Sequence, residues 1–157
     1  MKSSIKKVSN QQEKSLAKEL GAKQVPASGA VKFGGFDLYT ETHCIEAKFT
    51  YDIHYLLKFS ELEKIRKIAL SKNKIPALVF EFKELGTKYV IHGDLKETES
   101  TLEITTKTFK LSDNTLKSVL QDKDISLFWS KQPLGARWIV STWQRWSSEN
   151  GASNKPS

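Results

Sequence analysis

Cysteine is almost absent from this chain. Cys44 stands alone, which excludes an internal disulfide framework and suits a reducing compartment. No apolar run approaches the length that spans a bilayer, so no membrane association is expected. The basic start, MKSSIKKVSNQQEKS, has no apolar stretch behind it, so secretion is not expected; the cytoplasm is, or a host's cytoplasm if a phage encodes the chain. There is no internal repeat. Acidic residues are scarce at the start, where only Glu13 and Glu19 accompany Lys2, Lys6, Lys7, Lys14, Lys18, Lys23 and Lys32.

What remains is 157 residues, enough for one compact domain. That domain is expected over residues 1–146. The end, SSENGASNKPS (147–157), has no apolar residue larger than alanine and is expected to be a disordered tail. The net charge of +7 favours DNA, because a basic surface gains affinity by releasing counterions from phosphates. A merely solvated basic surface would have the same composition.

Local signals order the elements. Asn10 and Glu13 are spaced as a capping box, Leu16, Ala17 and Leu20 share a face with Glu13, and Gly21 supplies a stop, giving a helix over 10–20. An extended piece near 23–26 and glycine-bearing loops lead to two strands, 36–40 and 43–50, close enough for a hairpin. Ser60 and Glu63 form a second capping box for a helix to about 72, with Leu62, Ile65, Ile68 and Ala69 as its buried stripe. Pro76 prevents continuation, and ALVFEF (77–82) reads as an interior strand. A strand over 88–92 follows the turn at Gly86. The threonine-rich stretch 95–111 reads as irregular or weakly stranded. A short helix from Ser112 or Asp113 through Leu120 precedes strands at 126–129 and 137–142, which are joined by a turn at 133–135. This is an α/β domain with a mixed sheet.

The chemistry concentrates in FDLYTETHCIEAK (36–48). Alternation along a strand puts Glu46 and Lys48 on one face and Ile45, Ala47 and Phe49 on the other. Phe36 and Leu38 join the apolar face and leave Asp37 on the polar one. With the turn centred between Glu41 and Thr42, opposed residue numbers sum to a constant, and Asp37 falls opposite Glu46. Two facing carboxylates repel unless a cation lies between them. Magnesium suits the place because it takes one or two carboxylates plus water and phosphate oxygens. Lys48, one step along the same face, is placed to handle the attacking water or the phosphate charge.

Asp37 followed by Glu46-Ala47-Lys48 resembles the D…(D/E)-x-K core of the PD-(D/E)XK nucleases. Glu13 on the first helix and Ser28 in the loop Ala27-Ser28-Gly29-Ala30 are similar to features of the archaeal-type Holliday junction resolvases. The similarity covers about residues 10 to 92. Phe36 stands where proline or glycine often precedes the aspartate, and the gap from Asp37 to Glu46 is short.

The resemblance implies a restriction-endonuclease-like fold, a mixed β-sheet flanked by helices. It also implies Mg2+ dependence with Mn2+ as a substitute, and a homodimer cutting four-way junctions or other branched DNA in recombination and repair. Position by position, it implies Asp37, Glu46 and the Ala47 carbonyl as metal ligands, with Glu13 completing the shell directly or through water. Lys48 would be catalytic, and Ser28 would contact phosphate or support the site.

Plainer readings stand beside these. Glu13 can be a capping glutamate, Asp37 with Glu46 and Lys48 a cross-strand ion pair, and Ser28 turn chemistry. His43 and Cys44 point to opposite faces, and His54 and His92 have no evident partner, so zinc is not expected. Cys44 reads as a small buried residue. Trp129, Trp138, Trp143 and Trp146 read as packing, with Trp143-Gln144-Arg145-Trp146 as an alternative platform for exposed bases. The rival functions are a less selective repair or restriction-type nuclease, a non-catalytic DNA-binding module, and a basic adaptor protein.

Overall fold

The computed structural model describes the backbone of residues 2–25, 27–28, 31–32, 36–132 and 137–151, and the side chains of 7–25, 36–132 and 137–151. Ser28 has a side chain outside the described residues, as do the loop glycines 29, 34 and 35; the turn at 133–135 and residues 152–157 also lie outside them.

Helix α1 (Lys2–Leu20) starts well before Asn10, which lies exposed inside it, so the first capping box does not exist. Lysine, glutamine and glutamate are good helix formers and carry the helix through this polar stretch. It stops where expected, at Gly21 with φ 74°. The short strands β1 (Lys23–Gln24), β2 (Ala27–Ser28), β3 (Val31–Lys32) and β4 (Leu38–Tyr39) lead to β5 (His43–Thr50). Next comes β6 (His54–Lys58), for which no local signal was legible. It runs into α2 (Phe59–Ser71), whose first turn has no side-chain cap. The second capping box does not form because the helix already begins at Phe59, with Lys58 at the N-cap position and Ser60 inside the first turn; the Phe59 amide donates to the Lys107 carbonyl at 2.9 Å.

Strands β7 (Ile75–Phe82) and β8 (Thr87–His92) turn at Gly86. The threonine-rich stretch resolves into β9 (Thr101–Ile104) and β10 (Thr108–Ser112). Then come α3 (Asp113–Val119), capped by the Ser112 side chain, β11 (Ile125–Trp129), β12 (Arg137–Thr142) and α4 (Trp143–Asn150). The Thr142 hydroxyl accepts from the Arg145 amide and starts α4, so residues 147–150, expected to be disordered, are helical.

Eight strands form one mixed sheet in the order β1-β4-β5-β7-β8-β12-β11-β9. Two pairs, β5 with β7 and β9 with β11, are parallel and the others antiparallel. Strands β6 and β10 form a separate ribbon. Helices α1 and α4 cover one face, where Leu16, Leu20 and Trp146 pack on Ile45, Ala47 and Val79. On the other face α2, α3 and the β6–β10 ribbon enclose Leu78, Phe80, Trp129 and Trp138. All four tryptophans are buried, so Trp143 and Trp146 are packing and offer no base platform. The architecture is α/β, a mixed sheet flanked by helices.

Candidate active site

Strand β5 is interior to the sheet. Its side chains alternate between two covered faces, with Ile45 and Ala47 toward α1 and Glu46 and Lys48 level with Leu78 and Phe80 of β7 on the other side. The hairpin register is the expected one, Leu38 opposite Ile45 and Tyr39 opposite Cys44. The ladder does not continue to an Asp37–Glu46 pair. The Asp37 amide also donates to the Ile45 carbonyl at 3.0 Å, so Asp37 and Leu38 share one partner in a bulge. The bulge shifts the alternation. Leu38 packs under α1, whereas Phe36 packs with Cys44 and Ala69 on the opposite side, which corrects the expectation that the two share a face.

The bulge aims the Asp37 carboxylate at the middle of the Glu46-Ala47-Lys48 tripeptide. Asp37 Oδ2 accepts from the Ala47 amide at 2.7 Å, and the residue is only 6% exposed. Its own carbonyl accepts from Val25 at 2.9 Å, so neighbours on both sides fix its backbone. Groups that exchange ladder hydrogen bonds leave an extended strand on the same side. The Ala47 carbonyl therefore shares the side on which Asp37 sits. Glu46 and Lys48 are partly exposed and paired, with Nζ 3.5 Å from Oε1.

Glu13 lies on the face of α1 that covers β5 and is 4% exposed. Its Oε2 accepts from the Ser9 hydroxyl at 3.2 Å. Next to it, the Gln12 amide donates to the Lys48 carbonyl at 2.8 Å and ties this turn of α1 to the strand. A capping role for Glu13 is excluded, since it sits deep inside the helix. Thus Asp37 meets Ala47 between Glu46 and Lys48 on β5, while Glu13 lies on α1, which covers the Ala47 side of the strand, opposite the side of Glu46 and Lys48.

The available donors, two carboxylates and a peptide carbonyl, are hard oxygens of the kind magnesium takes. Among the described residues no three His, Cys, Asp or Glu side chains gather as a metal cage. Such a donor set leaves most of a cation's positions to water and phosphate, as magnesium sites do.

Two polar groups were not legible in sequence because their partners are remote. Tyr55 on β6 stacks on Phe80, 4.7 Å between centroids, and donates to Glu61 at 3.2 Å. Burial, then the Glu61 charge and hydrogen bond, then Glu46, push its hydroxyl well above the ordinary phenol range. The second is a buried cluster that gives His43 and His92 a common partner. His43 Nε2 lies 2.8 Å from Asp94 Oδ1, and His92 Nδ1 lies 3.0 Å from Oδ2, close enough for charge attraction but poorly aligned for a hydrogen bond. The Trp146 indole donates to the same Asp94 carboxylate at 3.2 Å. Burial opposes ionisation of Asp94, but the two imidazoles outweigh it and hold the carboxyl well below its usual range.

An α/β sheet whose interior strand carries acid, amide and lysine at one level is the class of scaffold these observations define. No family model matches the chain, and no curated protein matches it. Among solved structures it is similar to Hjc, a Holliday junction resolvase from the archaeal hyperthermophile Archaeoglobus fulgidus. The TM-score is 0.44 at 18% identity, over 68% of this chain and 86% of that one.

Proposed function

We propose that the chain is a metal-dependent endonuclease that hydrolyses phosphodiester bonds in branched DNA, acting as a homodimer on four-way junctions. The observation that carries this reading is the Asp37 carboxylate held on the Ala47 amide between Glu46 and Lys48. In this reading Asp37, Glu46 and the Ala47 carbonyl hold magnesium, or manganese in its place, with Glu13 supporting the shell.

A cation held there would supply polarisation of the scissile phosphate and a lowered pKa for bound water. The protein's own groups do the rest. Asp37 is pre-organised because its backbone is fixed by Val25 and Ile45 and its carboxylate by Ala47. Lys48, partly exposed, is released from Glu46 as phosphate enters and neutralises the charge that builds on the phosphoryl oxygens. Gln12 anchors α1 over this end of β5 and keeps Glu13 in place.

The test compares wild type with Asp37→Ala on labelled four-way junction, matching duplex and single strand, in magnesium or in EDTA. Paired, magnesium-dependent cuts on the junction, lost in the variant, are the expected result. Cutting of every substrate would retain the nuclease and remove the junction preference. Junction binding with no cleavage in either metal would leave a non-catalytic DNA-binding module.

A further inference from the structure

The tripeptide that follows β5, Tyr51-Asp52-Ile53, presents two large apolar side chains to solvent a few residues beyond Lys48; Tyr51 is 56% and Ile53 58% exposed. Their presentation is fixed. The Asp52 amide donates to Thr50 Oγ1 at 3.1 Å and the Ile53 amide to Asp52 Oδ1 at 2.6 Å, while the Ile53 carbonyl accepts from Asp113 at 3.3 Å. The Tyr51 ring is braced edge-on by Phe49, 5.7 Å between centroids and 81° between planes. Lys83 Nζ lies 5.5 Å from the centroid of the Phe49 ring and 3.4 Å from Glu81.

Alternation along β5 puts Phe49 on the Ala47 side, the side that carries Glu13. Tyr51 is about 13 Å along the chain from Ala47, the length of about four stacked bases, whereas Lys48 points to the other face of the strand. A rigid, half-exposed aromatic with a lysine behind its brace fits a nucleobase and its phosphate. It does not fit an intact duplex, whose bases are already stacked.

We propose that Tyr51 is a base-stacking residue that gives the site its preference for bases whose stacking is interrupted at a DNA branch, with Ile53 flanking it. This deepens the nuclease reading and rests on it. It also replaces Trp143 and Trp146, which are buried, as the aromatic contact to DNA.

The experiment measures binding in EDTA to a four-way junction and to duplex, with 2-aminopurine at the branch reporting stacking. Wild type, Tyr51→Ala and Tyr51→Phe are compared. The expected result is a junction-over-duplex preference lowered on the order of 10-fold by Tyr51→Ala, with the 2-aminopurine response lost and both retained by Tyr51→Phe. Wild-type junction preference left unchanged by Tyr51→Ala overturns this inference and leaves the nuclease reading standing. Equal weakening on both DNAs overturns it too, since that pattern marks a backbone contact. A wild type that binds no DNA removes the nuclease reading and this inference together.

Discussion

At the scale of single residues, Asp37 is the pivot, because it is both a buried acceptor and a candidate ligand. Asp37→Ala leaves the Ala47 amide without its acceptor and is expected to cost about 1–3 kcal/mol in urea unfolding, besides abolishing cleavage. Lys48 is more exposed, and on the proposed function it would bear on chemistry more than on folding. Lys48→Met is expected to lower kcat on the order of 100-fold with little change in unfolding midpoint. An equal loss in both variants of stability and of junction binding in EDTA would make the cluster structural.

Three carboxyls with many partners also set the acid limit. Asp94, Asp113 and Asp124 all titrate below the usual carboxylate range in the folded protein, because burial is outweighed by their hydrogen-bonding and charged partners. A depressed folded pKa contributes stability that is present above the unfolded value and lost as pH falls through the folded one. Stability is therefore expected to decline as pH drops below about 4. Asp94→Asn should flatten that decline, which urea titrations at pH 6, 4 and 3 would read. The opposite sign holds for Tyr55 and Tyr89, whose hydroxyls are raised by burial and then by Glu61 and Asp113 respectively. Their contribution is present below about pH 10 and is lost as pH rises above it.

At the scale of elements, α4 and β6 separate local from remote causes. The polar composition after Trp146 pointed to a tail, yet Thr142 caps a helix there, and Trp143 and Trp146 clamp it to the sheet. Trp146→Ala is expected to destabilise by about 3–5 kcal/mol, read as a lowered thermal midpoint by circular dichroism, because the ring packs against both imidazoles and the core. A freely exposed base platform at that position would tolerate the change. Strand β6 was invisible because its partner β10 lies about fifty residues away, and strand propensity follows such pairings more than local sequence. A remote partner also meets the start of α2, whose first amide donates to the Lys107 carbonyl.

At the scale of the whole molecule, charge makes the partner testable. If the basic surface follows phosphates at six or more contacts, affinity for DNA should fall about 1000-fold or more between 50 and 200 mM salt. A near-flat salt dependence would favour the adaptor reading.

What the sequence determined by itself was the material that local rules govern. The helix stop at Gly21, the start of α3 at Ser112 or Asp113, the hairpin register and the tripeptide Glu46-Ala47-Lys48 all follow from neighbouring residues and strand or helix periodicity. Tertiary structure decided the rest. The bulge at Asp37 depends on Val25 and Ile45 holding its backbone from either side, and no alternation rule contains it. The partners of His43, His92 and Tyr55 come from other elements of the fold. Burial settled the tryptophans, because whether an aromatic meets water or a core depends on what the rest of the chain lays over it.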